Sequence, residues 1–248
     1  MSHGLSLILP CLNEAQAIPV VLQKLLQTKT QILATTKLTD IEIIVVDDGS
    51  TDSSAEELRK FGNQIQVISH GKCKGYGRAL KTGFEASKHS LIAFYDLDDT
   101  CQPLDLIPMI AAATQNDVGM VSGYRMTQNT QMPLVRFIGN TFYKNLTRAL
   151  LKTSVGDCCS GFRLFHHRYK DQFIEILPDN LNFTLAMTIA FLRQKGTYLE
   201  VPIQYEERRG DSKLIPMIHG PLFLGTLLRY SLSPKFSYKR LSSLPNSI

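Results

Sequence analysis

The stretch LIAFYDLDDT, residues 91–100, leads an apolar strand directly into three carboxylates, Asp96, Asp98 and Asp99. Ligands of open α/β folds bind beside the carboxyl ends of the strands, and clustered negative charge at such a place needs a cation to offset it. Carboxylate oxygens on a short loop suit a hard divalent ion, Mg²⁺ or Mn²⁺, that also holds phosphates. The stretch therefore indicates transfer from a nucleotide-activated donor, although a solvated Asp-rich turn after a strand has the same local sequence.

Three similar strand and loop units precede this stretch and favour the ligand-binding interpretation. Their apolar runs are LSLILP at residues 5–10, IEIIVV at residues 41–46 and IQVIS at residues 65–69. The first run leads through CLNEAQ to a helix predicted over about residues 17–27, the second ends in the turn and cap residues DDGSTDSS, and the third meets the glycine-rich basic loop GKCKGYG. Alternating strands and helices predict a right-handed α/β arrangement with a mainly parallel sheet. All the functional loops then fall at the carboxyl ends of the strands.

The composition fits one large α/β domain in a reducing compartment. The 248 residues are 44% hydrophobic and 20% charged, and we see no repeat or linker that divides them. Five cysteines without a pairing pattern argue against a disulfide scaffold, and the N-terminus lacks the basic start of a signal peptide. Nucleic-acid binding, which the net charge of +5 suggests, is the weakest interpretation because acids occupy the predicted cleft.

The C-terminal region is basic and partly apolar. Its longest apolar stretch, residues 214–230, is interrupted by Pro216, Gly220 and Pro221 and is too short to cross a bilayer. From residue 212 onward there are five Lys or Arg residues and no acid. Two alternatives stay open, a helix packed on the domain with a solvated basic tail and a peripheral contact with anionic lipid headgroups. We predict a cytoplasmic protein, with contact at the cytoplasmic membrane face as the second alternative.

Taken together, these segments resemble the family 2 glycosyltransferases of GT-A fold, a Rossmann-like nucleotide-sugar-binding fold. They resemble most closely the branch that contains dolichyl-phosphate mannose synthase and the bacterial polyprenyl-phosphate sugar transferases. The matching segments follow the family's order from about residue 5 to 214, and they are LILPCLNE, VVDDGSTD, KGYGRALKTGF, FYDLDDTCQP, VSGYR, MPLVRFIGN, GDCCSGFRLF and EVPIQYEERRGDSKL. The resemblance implies a catalytic domain over residues 1–214, followed by an extension over residues 215–248.

The resemblance also implies an activity and a set of site residues. The implied reaction is inverting, metal-dependent transfer of a hexose from a nucleotide diphosphate sugar to a polyprenyl, dolichyl-type phosphate. The donor site would consist of Pro10, Asn13, Glu14, Asp47, Asp48, Lys74, Ser212 and Lys213. The catalytic set would be Asp96, Asp98, Asp99, Arg163 and Arg208, in which Asp96 and Asp98 hold Mg²⁺ or Mn²⁺. The acceptor phosphate would meet Arg125, Arg136 and Asn140.

Two roles within that set carry a physical reason of their own. A lipid phosphate needs no catalytic base, because its oxygen is already anionic, but it needs cations beside a negatively charged donor. Arg208, Ser212 and Lys213 would lie on a mobile loop that closes over the donor phosphates. Asp48 could instead hold the turn, and Lys74 could belong to a solvated helix face.

Three departures from the family pattern keep other functions open. Thr100 stands where relatives often have Gln, and the neighbouring Asp99 could supply the oxygen that this Gln would otherwise offer to the metal ion. Gln102 replaces a proline. Ala186 occupies a position that usually carries an acid. The alternatives are a soluble or polysaccharide acceptor, and a catalytically degenerate member that acts as a binding protein. The sequence does not name the sugar or the nucleotide.

Overall fold

The computed structural model describes residues 3–114, 118–194 and 196–233, and these residues contain one seven-stranded sheet. The strands are β1 (Leu5–Cys11), β2 (Ile41–Asp47), β3 (Gln66–Ser69), β4 (Leu91–Phe94), β5 (Met120–Tyr124), β6 (Arg163–His166) and β7 (Tyr198–Pro202). Their order across the sheet is β3-β2-β1-β4-β6-β5-β7. Neighbouring strands are parallel except where β6 pairs with β4 and β5. The predicted α/β fold with a mainly parallel sheet is confirmed.

Helices cover both faces of this sheet. The α-helices of the described residues are α1 (Ile18–Thr36), α2 (Ser54–Arg59), α3 (Tyr76–Ala86), α4 (Leu106–Ala113), α5 (Leu134–Leu151), α6 (Lys170–Ile176), α7 (Phe183–Arg193) and α8 (Pro216–Leu232). Short 3₁₀ turns occur at Gly62–Gln64, Pro103–Asp105 and His167–Tyr169.

Helix α1 is longer than the apolar pattern predicts. The prediction ends it near residue 27, whereas the helix continues to Thr36 and stops at Lys37, whose positive φ of 59° ends the helical path. Its second half is rich in threonine, and Thr28 and Thr36 donate their hydroxyls to the carbonyls of Lys24 and Ile32. Ile32 is fully buried and continues the core face. These threonines interrupt the apolar pattern without ending the helix, because their hydroxyls donate hydrogen bonds to helix carbonyls. The apolar pattern alone therefore predicts a helix that is too short.

The core lies in two layers, one on each face of the sheet. Leu5, Leu7 and Leu9 of β1 pack into one layer with α1 and α4, while Ile8 packs into the other with α3, α6 and α7. Strand β1 is therefore buried along its whole length, as expected for a parallel strand covered on both faces. The register of β1 places Cys11 beside Asp47 of β2, so the loops that follow the two strands emerge at the same edge.

Helix α8 packs against the second core layer, on α5 and α7. The Tyr143 hydroxyl donates to the Gly220 carbonyl at 2.7 Å, and the Tyr230 hydroxyl donates to the Ile176 carbonyl at 2.6 Å. No helix of the described residues is long and apolar enough to cross a membrane. The predicted basic tail, with Lys235, Lys239 and Arg240, lies outside the described residues, and the domain boundary after residue 214 stays a prediction.

Candidate active site

A cavity of about 570 Å³ opens at the carboxyl ends of β1, β2 and β4, and Asp96 and Asp98 line it. The Tyr76 hydroxyl donates to Asp96 Oδ1 at 2.8 Å. Asp98 Oδ1 accepts the amide and hydroxyl of Thr100, at 3.1 and 2.6 Å, and Asp98 Oδ2 accepts Arg208 Nη1 at 2.6 Å. Thr100, which departs from the family pattern, therefore orients Asp98 through its hydroxyl. Both carboxylates are held in defined orientations.

Two carboxylates that line the cavity, Asp96 and Glu14, lie in an environment that disfavours their negative charge. Burial, reinforced by the neighbouring charge of Asp98, raises the pKa of Asp96 to about 6. Burial also raises the pKa of Glu14, although Lys213 and Arg208 lie beside it. A bound cation would favour the ionised form of these groups. The site is therefore electrostatically suited to a cation.

Asp96 and Asp98 fit a divalent ion that arrives with a nucleotide. Mg²⁺ usually takes one or two protein carboxylates and completes its shell with substrate phosphates and water. Among the residues that the structure describes, no group of three or more His, Cys, Asp or Glu side chains is arranged to hold a metal ion. Two carboxylates match the donor set of an ion shared with a diphosphate.

The segment after β7 closes over this edge through two cations. The Arg208 guanidinium bridges Asp98 and Glu14, and Lys213 Nζ donates to Glu14 Oε1 at 2.9 Å and to the Asn13 carbonyl at 3.0 Å. Glu14 Oε2 and Arg208 Nε are buried and have no hydrogen-bond partner within the part of the chain that the structure describes. Buried polar atoms without a partner destabilise a protein unless a ligand or water forms hydrogen bonds with them. Glu14 Oε2 and Arg208 Nε are therefore available to bind a ligand.

The loops after β1 and β2 are joined by side-chain to backbone hydrogen bonds. Asn13, with a φ of 52°, accepts the Thr51 amide through Oδ1 at 2.7 Å and donates its own amide to Ser50 Oγ at 2.9 Å. Asp47 Oδ1 accepts the Ser50 amide at 3.0 Å. These motif residues thus stabilise the loops at this edge of the cavity.

Asp48 holds the glycine-rich loop after β3. Its carboxylate accepts the amides of Lys74 and Gly75 at 2.9 and 2.8 Å and contacts His70 Nδ1 at 2.7 Å. Gly75 has a φ of 106°, and a Cβ there would lie 2.4 Å from the Asp179 carbonyl oxygen, so the loop needs glycine at this position. These contacts agree with the alternative role given to Asp48 in the sequence analysis, which is to hold a turn.

The structure brings most of the predicted site residues to one cavity. Those that line it are Pro10, Glu14, Asp48, Asp96, Asp98, Arg125, Arg136, Asn140, Arg208, Ser212 and Lys213. Those that do not are Asn13, Asp47, Lys74, Asp99 and Arg163. Lys74 is exposed at the start of the glycine-rich loop.

Asp99 and Arg163 require corrections to the predicted catalytic set. Asp99 has a φ of 65°, which turns its carboxylate away from the cavity and toward Lys24 Nζ and Arg209 Nε, both at 2.7 Å. Asp99 is therefore not positioned to supply the oxygen ligand that was predicted for the metal ion. Arg163 is fully buried on β6, where it donates to the carbonyls of Ser160 and Cys158 at 3.0 and 3.2 Å. It supports the preceding loop instead of contacting a ligand.

The predicted acceptor arginines have different partners. Arg125 donates through Nε and Nη2 to both oxygens of the buried Asp157, at 2.8 and 3.0 Å. Arg136 donates to the hydroxyls of Ser212 and Tyr205. Among the described residues, its hydrogen-bond partners are therefore neutral. Arg136 is the better placed of the two to bind an additional anion, because Arg125 is already neutralised by its carboxylate.

Sequence reasoning missed several cavity residues on α3, on α7 and around α8. Tyr76, Asn182, Thr184 and His219 line the cavity. Ala186, which aligns with an acid in relatives, is fully buried in the second core layer and does not line the cavity. The signal for Tyr76 was its place between two glycines at the start of a predicted helix. Thr184 lacked such a signal because α7 is apolar almost throughout.

Comparisons with known proteins agree with this geometry. The model of the family "Glycosyl transferase family 2" matches residues 6–173. The dolichyl-phosphate hexose transferase of Haloferax volcanii is 28% identical over 239 residues, covering 93% of this chain and 95% of that protein. The undecaprenyl-phosphate 4-deoxy-4-formamido-L-arabinose transferase of Pseudomonas fluorescens is 24% identical over 225 residues, covering 87% of this chain and 61% of that protein.

A solved structure supports the fold. The glucosyl-3-phosphoglycerate synthase of Mycobacterium tuberculosis, crystallised with Mn²⁺, uridine diphosphate and phosphoglyceric acid, superimposes with a TM-score of 0.72. Its sequence is 19% identical, and the match covers 94% of this chain and 80% of that chain. At this identity the likeness concerns the fold, which agrees with the predicted GT-A architecture.

Proposed function

This chain belongs to glycosyltransferase family 2, and from that membership we propose that it transfers a hexose, with inversion, from a nucleotide diphosphate sugar to a polyprenyl phosphate. The relatives from Haloferax and Pseudomonas, whose names specify dolichyl-phosphate and undecaprenyl-phosphate, support this acceptor class. One observation carries the proposal: a single cavity is lined by the carboxylates Asp96 and Asp98, by Arg136, and by the apolar residues Val135 and Phe223. We assign the donor to the two carboxylates, called the carboxylate end, and the acceptor to Arg136 and the apolar residues, called the acceptor end.

At the carboxylate end, Asp96 and Asp98 would hold Mg²⁺ or Mn²⁺. Such an ion acts as a Lewis acid that stabilises the departing diphosphate. Arg208 and Lys213 form ion pairs with Glu14. With the donor bound, the same two side chains would neutralise phosphate oxygens, and their loop would exclude water from the sugar.

At the acceptor end, the state of the carboxylates favours a phosphate over a sugar hydroxyl. A hydroxyl acceptor needs a carboxylate to remove its proton, whereas a phosphate oxygen is already anionic. Glu14, Asp48, Asp96 and Asp98, the acidic residues of the cavity, each already accept hydrogen bonds or ion pairs from the protein. Arg136 and Asn140 would bind the acceptor phosphate, together with Arg125, which already pairs with Asp157.

We also propose that α5 and α8 contact a membrane surface on its cytoplasmic side. On α5, Leu134 and Ile138 are 71% and 60% exposed, and on α8 Ile218 and Leu222 are 59% and 54% exposed. Large apolar side chains clustered on two packed helices mark a surface that binds another apolar phase. A polyprenyl phosphate presents its headgroup from such a surface, which would bring it to the open end of the cavity.

The test is a screen of nucleotide diphosphate sugars for metal-dependent thermal stabilisation, followed by transfer assays. A donor of this enzyme should raise the melting temperature with Mn²⁺ and not with EDTA. With that donor, sugar should move to a polyprenyl phosphate. Transfer to a soluble sugar but never to a lipid phosphate would favour the soluble-acceptor alternative, and binding without transfer to any acceptor would favour a binding protein.

A further inference from the structure

We propose that Tyr76 is a positioning residue that fixes the metal ligand Asp96, and that Asp48 and His70 fix the loop that presents Tyr76. This inference rests on the proposed function, because it takes Asp96 as a ligand of the divalent ion. It assigns roles to two side chains, Tyr76 and His70, that were not among the predicted site residues.

Asp96 is restrained on both of its oxygens. The Tyr76 hydroxyl donates to Oδ1 at 2.8 Å. On the other side, a Cβ built on Gly161 would lie only 2.7 Å from Oδ2, so the backbone of the segment before β6 approaches the carboxylate closely. Rotation of the carboxylate would break the first contact or collide with the second. A hydrogen bond from a second residue is the usual means by which proteins orient metal ligands.

Tyr76 is itself placed by the loop that precedes it. It is the first residue of α3 and follows Gly75, whose amide donates to Asp48 Oδ2 at 2.8 Å. His70 contacts Asp48 Oδ1 at 2.7 Å through Nδ1 and Thr82 Oγ1 at 2.9 Å through Nε2. The His70 side chain is buried. A continuous series of contacts therefore runs from His70 through Asp48 and Gly75 to Tyr76 and Asp96.

The chain contains a matched control for removal of the Tyr76 hydroxyl. Tyr95 is adjacent to Asp96, is fully buried, and has a hydroxyl that lacks a hydrogen-bond partner in residues 3–114, 118–194 and 196–233. Tyr76→Phe and Tyr95→Phe remove the same atom from neighbouring places. Only the first removes a contact to Asp96.

The experiment measures Mn²⁺ affinity of the full chain by electron paramagnetic resonance, in the presence of UDP and, separately, of GDP. Tyr76→Phe should weaken Mn²⁺ binding by about 10- to 100-fold, the usual effect of losing an outer partner of a metal ligand. Tyr95→Phe should bind Mn²⁺ as the wild type does, and both variants should keep a cooperative thermal transition. Unchanged Mn²⁺ affinity in Tyr76→Phe would overturn the inference, even if turnover fell.

Two further variants separate this inference from the proposed function. If Asp98→Ala also binds Mn²⁺ like the wild type, the proposed metal site itself is wrong. If Asp98→Ala loses Mn²⁺ and Tyr76→Phe does not, only the role of Tyr76 is wrong. His70→Leu should weaken Mn²⁺ binding less than Tyr76→Phe does, and the double variant should lose less than the product of the two effects, because both act through one route. Independent, multiplying effects would overturn the role of His70.

Discussion

The two parts of the cavity lining that we assign to the donor and to the acceptor are built in different ways. At the carboxylate end, Asp98 is buried and Asp96 is partly buried, and both are oriented by the protein's own donors. At the other end, Arg136 has neutral hydroxyl partners among the described residues, and apolar side chains of α5 and α8 are left in solvent. A preorganised end suits a ligand whose charge must be matched in one geometry. An apolar end suits a ligand that stays in a membrane.

The largest expected effect concerns the carboxylate end. Asp98→Ala should abolish transfer and remove the Mn²⁺ dependence of nucleotide diphosphate binding, because it deletes a proposed metal ligand and one of the two carboxylates that Arg208 contacts. Calorimetric titration with and without Mn²⁺ measures this, and thermal unfolding verifies the fold. If the variant binds nucleotide and metal like the wild type, the carboxylate end does not hold a metal ion, and the proposed difference between the two ends is wrong.

The second effect concerns the opposite end and should leave the first untouched. Arg136→Ala should weaken use of polyprenyl phosphate by about 1.5 to 3 kcal/mol, roughly 10- to 150-fold, because one charge-assisted phosphate contact is lost. Donor binding should stay near normal. Arg59→Ala, an exposed arginine of α2, controls for loss of a positive charge. Equal loss of donor binding would assign Arg136 to the donor site.

A smaller effect is expected on membrane contact. Replacing Leu134 and Ile138 together with Asn should reduce the affinity for liposomes about tenfold, because partial burial of the two side chains in the membrane interface contributes roughly 1 to 2 kcal/mol in total at about 25 cal/mol per Å². Val67→Asn, at the opposite edge of the sheet, changes an exposed apolar residue away from the proposed surface and controls for it. If the double variant sediments like the wild type, α5 is not the membrane contact.

The smallest effect concerns a carboxylate outside the cavity, the partly buried Asp105. Burial raises the pKa of Asp105 from 3.8 to about 6, and its Oδ2 has no hydrogen-bond partner among the described residues. Because the folded state holds this proton more tightly, ionised Asp105 destabilises the fold above about pH 6, and the penalty disappears below pH 3.8.

At pH 7.5, the free energy of unfolding of Asp105→Asn should therefore exceed that of the wild type by roughly 1 to 3 kcal/mol, and the variant should unfold at a higher denaturant concentration. Near pH 4 the two proteins should differ little. Urea titrations at the two pH values measure this. The exposed Asp171→Asn is the control for loss of a charge. A pH-independent difference would mean that the gain does not come from ionisation of Asp105.

Local patterns predicted β1 to β4 and the carboxylates Asp96 and Asp98, and the family resemblance supplied most of the other cavity residues. A parallel sheet brings the loops after its strands to one edge. Asp96, Asp98 and Asp48 follow that rule. Asp99 departs from it because its positive φ turns the side chain away from the cavity, and the neighbouring residues in the sequence do not predict that conformation. The partner of Arg125 is Asp157, which is distant in sequence and comes near only because β6 lies between β4 and β5. Such pairings depend on the assembled sheet.

The central claim is that one cavity joins a metal-bound donor to a lipid phosphate. Its most direct test incubates the protein with a radiolabelled nucleotide diphosphate sugar, Mn²⁺ and a polyprenyl phosphate in liposomes, and measures label in the lipid fraction. The account predicts lipid-linked label with the wild type, little with Arg136→Ala and none with Asp98→Ala. Label that reaches a water-soluble acceptor and never the lipid, with a protein that binds the donor, would contradict it.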